Sequence, residues 1–545
     1  MNLSPKRVSA LLIIWCATFS GAAGVLLEPT TSPVHDDLLQ MSLRSGQRLP
    51  GAFYNFSTRD RIVTYLQVGL CGSEASREQR RRQFLLNYLR EDTRRRSLAI
   101  VPHDRTLPRL YPLWSGCVAT DGDSTFLELT NGFSFAWEPA LQVGLKLHFQ
   151  DATVRGSREL FESPAWLPGD NLAWEAAGDG DLFFHDELEG GLLYSGEQFS
   201  ALIGRDYLRL GHDQRLSTLT GTGTPSVNQL LFHYTGNGFE AAYLLAELHS
   251  NLSVTTTPAD WGGKPHTVPL DKYLVYHRLA WQGERFACGF SDMVIFSEQP
   301  LRLGYLNPIS FFWSEEHYGG DNDNSLLVLD FSLLHPGWEL WSELLFDDLT
   351  FSRLFSSKPV NKTAIAAGWR IAPADGLLLS GGAAFTRPFV YTHFHATDDF
   401  RHQGRTLSSL QPNSLKYSLA CRWLLTAAQH LEADWDWTVQ GVGYWEEGVY
   451  HNVGSSFEHT IFDGDANFPF LAGRKQYTQR AALSWYLYGS PTLPFWNRQL
   501  EWLQLEMTFS QYRAALALDP AGTPNRHREV FNALWLKLTL DHDLH

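Results

Sequence analysis

An uninterrupted alternation of apolar and polar side chains runs through residues 141–150 of this chain. Residues 127–137 follow the same pattern, and Pro139 lies in the short connection between the two segments. Because successive side chains of a strand point to opposite faces, each segment predicts a strand with one apolar face and one polar face. A soluble sandwich would bury the apolar faces against each other, whereas a membrane barrel turns them to lipid and keeps polar side chains inside. In the first segment the apolar members are Leu141, Val143, Leu145, Leu147 and Phe149, and Lys146 and His148 are on the polar side.

The N-terminus has the features of a secretory signal. Lys6 and Arg7 precede an uncharged run over residues 10–19, and small residues follow it. We expect residues 1–23 to form a signal peptide that is cleaved near Ala23. A single membrane anchor is the alternative, but the strongly apolar part is short for a spanning helix.

The composition favours a barrel over other membrane proteins. Only 19% of the residues are charged, and the chain has 19 Trp and 20 Tyr, yet no later segment approaches the ~20 apolar residues of a membrane helix. Alternating strands produce this combination, because lipid-facing and interior residues cancel in the average hydropathy. The formal net charge of −15 argues against a nucleic-acid partner. The cysteines predict no metal or redox site, and a bridge between Cys71 and Cys117 stays open.

Residues 24–122 have helical rather than strand periodicity and are expected to form a small N-terminal domain on the periplasmic side. One apolar stripe is flanked by many arginines. Two interpretations fit: a solvated helical domain, or a basic plug that rests against an acidic barrel opening. The stripe contains Phe84, Leu85, Tyr88 and Leu89, and the arginines are Arg77, Arg80, Arg81, Arg82, Arg90, Arg94, Arg95 and Arg96.

Residues 123–545 read as strand, turn and strand, and predict an all-β fold: a closed antiparallel transmembrane β-barrel of about 16–18 strands. Asn237-Gly238 between alternating segments is a strong hairpin signal, and Gln282-Gly283, Pro336-Gly337 and Asp375-Gly376 mark further reversals. Longer polar or aromatic stretches lie between these hairpins. Short turns at one end and long loops at the other are typical of bacterial outer-membrane barrels. The final strand alternates through Leu540 but ends in a polar tail rather than in an aromatic residue.

Five short motifs in the centre of the chain carry a resemblance to a known family. They are Gly204-Arg205-Asp206, His277-Arg278-Leu279, Tyr305-Leu306-Asn307-Pro308 with Phe311-Phe312, Asp323-Asn324-Ser325-Leu326-Leu327, and Glu343-Leu344-Leu345-Phe346-Asp347-Asp348. In this order and spacing the chain resembles the capsule assembly protein Wzi family. The resemblance covers residues 200–350, and the polar C-terminal tail and Arg-rich N-terminal segment depart from the family.

The resemblance implies an outer-membrane barrel that binds or organises capsular or surface polysaccharide, and it does not imply an enzyme. The expected partners are surface polysaccharide, outer-membrane lipid and the barrel assembly machinery, and the expected state is a monomer without a cofactor. Two alternatives come from other classes. One is a porin-like channel or transporter for small solutes, and the other is a barrel-embedded hydrolase.

Carboxylates recur along the segment 338–348 with the period of a strand face. Glu339, Glu343 and Asp347 share one face, and acidic groups on a lipid face would be strongly unfavourable. We therefore expect a polar network in the lumen, with Arg205 and Arg278 as partners of these carboxylates and Asp206 as a further member. This row could bind a ligand, or it could brace a barrel filled with side chains.

The segment 313–324 combines aromatic, acidic and amide side chains, which is the chemistry that a sugar-binding surface requires. The membrane-interface girdle is an equally good explanation of any single aromatic residue here. The expected ligand-binding residues are Trp313, Glu315, Glu316, Tyr318, Asn322 and Asn324.

The sequence predicts no catalytic residue and no metal site. Glu315 and Glu316 are adjacent rather than paired across a cleft, so a glycosidase is a weak interpretation. The acidic and amide residues 321–324 lack the glycine and distant glutamate of a calcium loop. His393 and His395 could share a strand face, but no third ligand is specified.

Overall fold

The structure is a computed structural model. It describes residues 33–46, 48, 81, 109–120, 123–140, 142–157, 173–176, 181–256, 266–320, 322–347, 362–446, 449–457, 468–489, 492–493, 498–499, 502–515 and 528–541. The expected signal peptide, the stripe around Leu85 and Cys71 lie outside these residues.

The described chain is all-β in character, and one antiparallel sheet of 19 strands dominates it. The strands of this sheet are β1 (Arg109–Thr120), β2 (Thr125–Ala140), β3 (Val143–Gly156), β4 (Ala173–Ala176), β5 (Leu182–Ser195), β6 (Phe199–Tyr207), β7 (Ser226–Gly236), β8 (Phe239–Thr256), β9 (His266–Gln282), β10 (Phe286–Ser297), β11 (Asn324–His335), β12 (Trp338–Asp347), β13 (Lys362–Ala374), β14 (Leu377–Thr386), β17 (Ser414–Thr426), β18 (Gln429–Val442), β21 (Arg474–Gly489), β24 (Trp502–Ala515) and β25 (Arg528–Asp541). Short hairpins pair β15 (Arg401–His402) with β16 (Arg405–Thr406), β19 (Tyr444–Glu446) with β20 (Val449–His451), and β22 (Thr492–Leu493) with β23 (Arg498–Gln499).

Each strand of this sheet pairs with the strand of the same sheet that follows it along the chain. β4 is the exception, because it pairs with β5 alone and β3 pairs directly with β5. The first strand lies within residues 24–122, for which helical periodicity was expected, so that expectation is wrong for residues 109–120. This strand has two neighbours. Leu113–Thr120 of β1 pair with Asp541–Leu534 of β25, while the whole of β1 also pairs with β2. Without β4, eighteen of the 19 strands belong to this series, which agrees with the expected 16–18.

Tight turns join the strands at one end of the sheet, which we call the short-turn end. At Asn237 and Gly238, φ is 53° and 76°. These two left-handed residues give the turn a twist that matches the twist of the flanking strands, and Asn and Gly tolerate this conformation best. Gly337 and Gly376 have positive φ in the β11–β12 and β13–β14 turns. The opposite end, which we call the long-connection end, has the segments between β6 and β7, β10 and β11, and β14 and β17.

The two faces of the sheet differ in chemistry. One face, the apolar face, exposes large hydrophobic side chains around the sheet; examples from successive regions are Leu129, Ile203, Leu279, Leu340, Leu419 and Leu483. The other face, the polar face, has Arg278, Asp330 and Glu343, which are buried. The alternation in the sequence produces this division directly, because residues two apart in a strand share a face.

Two connections from the long-connection end fold across the polar face. The first covering segment (residues 208–225) follows β6, and the second covering segment (residues 387–413) follows β14 and contains the β15–β16 hairpin. Their apolar side chains form the largest buried cluster together with the part of the polar face near the long-connection end; the cluster includes Leu210, Leu216, Leu219, Val390, Tyr391, Phe400 and Leu407 from the segments and Met293, Ile295, Leu326 and Val328 from the sheet.

Three helices are described: α1 (Pro33–Ser45), α2 (Leu303–Leu306) and α3 (Phe312–Gly319). α1 packs at the short-turn end, where Leu43 contacts Leu334, Ala372 and Leu378. α2 and α3 lie in the connection between β10 and β11. Within the described residues, no helix has the length and apolar character needed to cross a membrane.

Candidate functional site

A network of buried ion pairs crosses the polar face from β8 to β13. The guanidinium of Arg278 on β9 donates to Asp330 on β11 over 2.6 and 3.1 Å and to Glu240 on β8 over 3.1 Å. Arg370 on β13 donates to its directly paired neighbour Glu339 over 2.8 Å. Each of these side chains is at most 10% exposed, so the pairs are shielded from solvent. Such charged hydrogen bonds are stronger than neutral ones.

Glu343 attaches the first covering segment to the sheet. Its Oε1 accepts from the backbone N–H of His212 over 2.7 Å. Its Oε2 accepts from the backbone N–H and the hydroxyl of Thr218 over 2.8 and 2.9 Å, and from the Ser217 hydroxyl over 3.2 Å. One buried carboxylate therefore satisfies several donors of a loop that has no strand ladder of its own.

The two covering segments also hold each other. The Tyr391 hydroxyl donates to the Thr218 carbonyl over 2.8 Å, and the backbone N–H of Gly221 donates to the Leu407 carbonyl over 2.7 Å. Asp347 of β12 accepts the backbone N–H of Tyr391, so the second segment is fixed to the same strand that fixes the first. Together the segments form one packed layer over β8–β14.

Asp213 and Arg215 extend this layer toward the other side of the sheet. Arg215 binds Asp213 over 2.9 Å within the segment, and its Nη1 lies 3.1 Å from Asp434 on β18. Burial alone would raise the pKa of Asp213, but the charges of Arg215 and Arg370 hold it below its usual range. Asp213 therefore stays ionised at neutral pH and keeps Arg215 in place.

The polar face of β17, β18 and β21 is less covered. The side chains of Lys416, Asp434 and Asp436 are 14%, 37% and 16% exposed there, whereas Glu343 and Asp330 are 0% and 1% exposed. Lys416 Nζ lies 3.7 Å from Asp436 Oδ2. A cavity of about 320 Å³ adjoins Lys416; its lining residues are Ser409, Leu410, Gln411, Ser414, Lys416, Thr438, Gln440, Gln476 and Thr478. Hydroxyl and amide groups dominate this lining, and they can both donate and accept hydrogen bonds to a polar solute.

The N-terminal part of the chain is attached at the short-turn end through a buried charge cluster. Asp37 of α1 accepts from Arg81 Nε over 2.8 Å and lies 2.9 Å from Arg422 of β17. Arg81 also donates to the Ala427 carbonyl in the β17–β18 turn over 2.6 Å. Burial would raise the pKa of Asp37, but Arg422 and Arg81 lower it below its usual range. Arg48 binds the neighbouring β9–β10 turn and Ser332.

The six residues expected to form a lumen network lie in different surroundings. Glu339, Glu343, Asp347 and Arg278 are buried on the polar face. The expected pairing of Arg205 and Arg278 with the β12 carboxylates is wrong. Register puts Asp330 and Glu240 beside Arg278, and Arg205 donates to Ser226 over 2.9 Å. Asp206 accepts the backbone N–H of Tyr207. Arg370 and the donors of the first covering segment bind the β12 carboxylates instead.

The six residues expected to bind a ligand are divided between the faces. α3 contains Trp313, Glu315, Glu316 and Tyr318 and packs over the apolar face, whereas Asn324 is buried and donates to the Asp398 carbonyl over 2.8 Å. Asn322 is exposed in the connection between them. A ligand-binding role for these residues stays a prediction, and the structure gives them no common cleft. Among the described residues, no group of three His, Cys, Asp or Glu side chains is placed to hold a metal ion.

Several residues of the site had no signal that sequence patterns could identify. Asp37, Arg81 and Arg422 meet from three distant parts of the chain, and Asp213 and Arg215 lie in a segment that reads as an ordinary polar loop. The row Glu432, Asp434 and Asp436 on β18 recurs every second residue, so it shares one strand face and could have been found from the sequence.

The fold and its two chemically different faces are typical of a β-sheet protein that contacts lipid. A wide sheet whose apolar face stays exposed across its strands is unstable in water, because monomeric soluble proteins rarely expose large contiguous apolar patches.

No family model matches the chain, and no curated protein matches it. Among solved structures, it is similar to OccAB3 of Acinetobacter baumannii, with 9% identity and a TM-score of 0.41 over 80% of this chain and 98% of that one. It is also similar to OprD of Pseudomonas aeruginosa, with 8% identity and a TM-score of 0.40 over 82% and 100% of the two chains. OccK7 of the same organism gives 10% identity and a TM-score of 0.40 over 80% and 98%. At this level the similarity assigns no substrate to the chain.

The expected membership of the capsule assembly protein Wzi family is wrong. The chain matches no family model, and the solved structures that resemble it are Occ and OprD porins, which are channels. The five short motifs were too brief to identify a family, because strand segments with similar alternation recur in unrelated barrels. The expected role in binding or organising surface polysaccharide depended on that resemblance and is wrong with it.

Proposed function

We propose that the sheet closes into a transmembrane barrel whose interior is the polar face. The pairing of β1 with both β2 and β25 supports this proposal, because it leaves neither terminal strand as a free edge. The exposed apolar face then contacts lipid, and the covering segments lie inside the barrel. In bacterial barrels the longer connections are on the extracellular side, so the long-connection end faces outward and the short-turn end faces the periplasm.

We propose that the protein is a porin-like channel for small solutes. The observation that carries this proposal is the uneven covering of the polar face. The charged groups Arg278, Asp330 and Glu343 are sealed under the two covering segments, whereas Lys416, Asp434 and Asp436 of β17 and β18 stay partly exposed beside a polar cavity of about 320 Å³. A barrel that served only as a filled support would bury both sides alike.

In this proposal the covering segments form the constriction of the channel. Glu343 and the β12 row hold them against one wall, and Arg215 reaches across to Asp434 on the other. The passage then follows β17, β18 and β21, where Lys416 and Asp436 face each other. Neighbouring charges of both signs favour small polar solutes over apolar ones, since an apolar solute cannot replace the water that these groups bind.

We further propose that the part of the chain before β1, residues 24–108, forms a periplasmic cover on the barrel that begins at β1. Asp37, Arg81 and Arg422 attach this cover to the β17–β18 turn, and Leu43 packs against the two turns that follow β11 and β13. The proposed partners are outer-membrane lipid and the barrel assembly machinery. We propose that the protein is a monomer and has no catalytic role.

Reconstitution of the full-length protein in planar bilayers tests the channel. We expect discrete conductance steps, and we expect liposomes containing the protein to swell in a small polar solute. A bulky substitution in the cavity, Thr478→Trp, should lower the step size. Tyr477→Trp is the matched control, because Tyr477 is its neighbour on the apolar face and should leave the step size unchanged. Absence of both conductance and swelling from folded protein would contradict the proposal.

A further inference from the structure

The connection between β10 and β11 folds back over the apolar face instead of standing free at the long-connection end. We call residues 299–320 the helical segment; it contains α2 and α3. Tyr305 and Phe312 are fully buried in a cluster with Val275, Val294 and Phe296, whose side chains all belong to the apolar face. The Tyr243 hydroxyl donates to the Tyr305 carbonyl over 3.0 Å. The helical segment is thus packed on the outer side of the sheet.

Beneath α3 lies a polar pair that is unusual for this face. His277 of β9 and Asp292 of β10 are directly paired, and His277 Nε2 lies 3.5 Å from Asp292 Oδ2. The same oxygen accepts the backbone N–H of Phe312 over 2.6 Å, and the Phe312 ring centroid lies 4.3 Å from that of His277. Ionisable groups are costly in contact with lipid, so this pair needs a cover. α3 supplies both the cover and a hydrogen bond.

A second set of contacts joins the start of the helical segment to the residue just before β11. The Tyr305 hydroxyl donates to Asp323, and Arg302 Nη1 lies 3.3 Å from the same carboxylate. Asp323 is fully buried just before β11, so the segment is tied down at both ends rather than at the β10 side alone. The surface that the segment turns away from the sheet is therefore held in a fixed position.

That outward surface is strongly apolar. Leu303, Ile309 and Tyr318 are 82%, 88% and 89% exposed, which exceeds every other large hydrophobic side chain among the described residues. The surface continues the exposed apolar side chains of the same strands, of which Leu279 and Phe286 are examples. Lipid already covers that part of the wall in an outer-membrane protein, and the surface of the segment is continuous with it.

We infer that the helical segment is embedded in the outer leaflet of the membrane, where Leu303, Ile309 and Tyr318 contact lipid acyl chains while α3 shields the His277–Asp292 pair from them. The occupant of this surface is lipid. The channel does not require this element, so the inference is independent of solute passage.

Wild-type protein in phosphatidylcholine vesicles provides a first test through hydroxyl-radical footprinting. We expect low modification of Tyr318 despite its exposure in the protein, and higher modification of Phe394, an exposed aromatic residue of the second covering segment. Protection of Tyr318 should not change when the lipid-to-protein ratio rises tenfold. Protection that disappears on dilution would identify a second copy of the chain as the occupant, and modification equal to that of Phe394 would place the segment in water. Either result overturns the inference.

A spin label at residue 309 gives a second, more direct measurement. In a variant whose cysteines are replaced by alanine, Ile309→Cys carries a nitroxide in vesicles, and collisions with O₂ and with a water-soluble nickel complex are compared by power saturation. We expect O₂ to be favoured at least severalfold at residue 309 and the nickel complex to be favoured at Gln403→Cys, an exposed control position in the second covering segment. Nickel preference at both positions, or spin–spin broadening at residue 309, contradicts lipid contact.

Discussion

Arg422 of β17 and Asp37 of α1 form a buried ion pair with 2.9 Å between Nη1 and Oδ1. The two residues are 385 positions apart, and the pair attaches the N-terminal part of the chain to the short-turn end of the sheet. Arg81 binds the second oxygen of Asp37, and Arg422 also pairs with Glu432 over 3.1 Å. Aspartate is rarely buried without such partners, so the attachment depends on this cluster as a whole.

Asp37→Ala should release the N-terminal part from the barrel. Removing one partner of a buried pair leaves uncompensated charge and costs about 3–5 kcal/mol. We expect faster proteolysis of residues 24–108 and a larger channel conductance, measured by mass spectrometry of the fragments and in planar bilayers. Arg44→Ala is the control, because the Arg44–Asp375 pair is about one-third exposed at 3.8 Å and should contribute less than about 1 kcal/mol. Equal effects of the two variants would argue against a specific attachment at Asp37.

Glu343→Gln should loosen the first covering segment. The substitution keeps the side-chain shape but replaces one acceptor oxygen by a donor that faces other donors, at a cost of about 1.5–3 kcal/mol. We expect more frequent conductance transitions in single-channel recordings, because His212 and Thr218 bind different carboxylate oxygens and one of the two loses its acceptor. Ser342→Ala lies on the opposite face of the same strand and should behave as the wild type. Unchanged recordings for Glu343→Gln would separate the segment from the conducting path.

Lys416→Gln should shift the ion selectivity toward cations. The lysine neutralises Asp436 beside the cavity, and its loss leaves the carboxylate as the dominant local charge. The reversal potential in a KCl gradient measures the shift. Lys475→Gln is a suitable control, because Lys475 is exposed near the long-connection end. A reversal potential that moves toward anions, or equally in both variants, would contradict a passage along β17 and β18.

The second covering segment should be more firmly packed at pH 5 than at pH 8. Burial raises the pKa of Asp398 to about 7, and the charge of Asp323 adds to the shift. The folded segment therefore binds this proton more tightly than the unfolded chain does. The resulting stabilisation is complete below about pH 4 and is lost as the pH rises through about 7.

Single-channel noise at pH 5 and pH 8 tests this dependence. We expect quieter openings at pH 5 for the wild type and no difference between the two pH values for Asp398→Asn, which keeps the neutral form throughout. The same pH dependence in Asp398→Asn would assign the effect to another group.

Local patterns were sufficient for the sheet. The alternation around Leu145 and Leu129 separates two faces because the side-chain period of a strand is two, and Asn237-Gly238 gives the hairpin between β7 and β8. The row Glu339, Glu343 and Asp347 follows from the same period. Such patterns act within one strand or one turn and need no knowledge of the rest of the chain.

Local patterns could not predict which groups these side chains bind. Arg278 binds Asp330 because the register between β9, β10 and β11 places them together, and Glu343 binds Thr218 because one particular connection folds inward. His277 shows the limit most clearly. Its period places it on the apolar face, but only the packing of Phe312 over it explains how a histidine is tolerated there.

The sequence by itself therefore determined the two-faced antiparallel sheet, its hairpins and the polarity of each face, since these depend on side-chain period and local turn chemistry. The tertiary structure alone decided which connections cover which face. The first and second covering segments lie on the polar face and the helical segment lies on the apolar face, although all three leave the same end of the sheet. The physical reason is that buried charges such as Glu343 and Asp292 must find donors, and those donors come from parts of the chain that no local period connects.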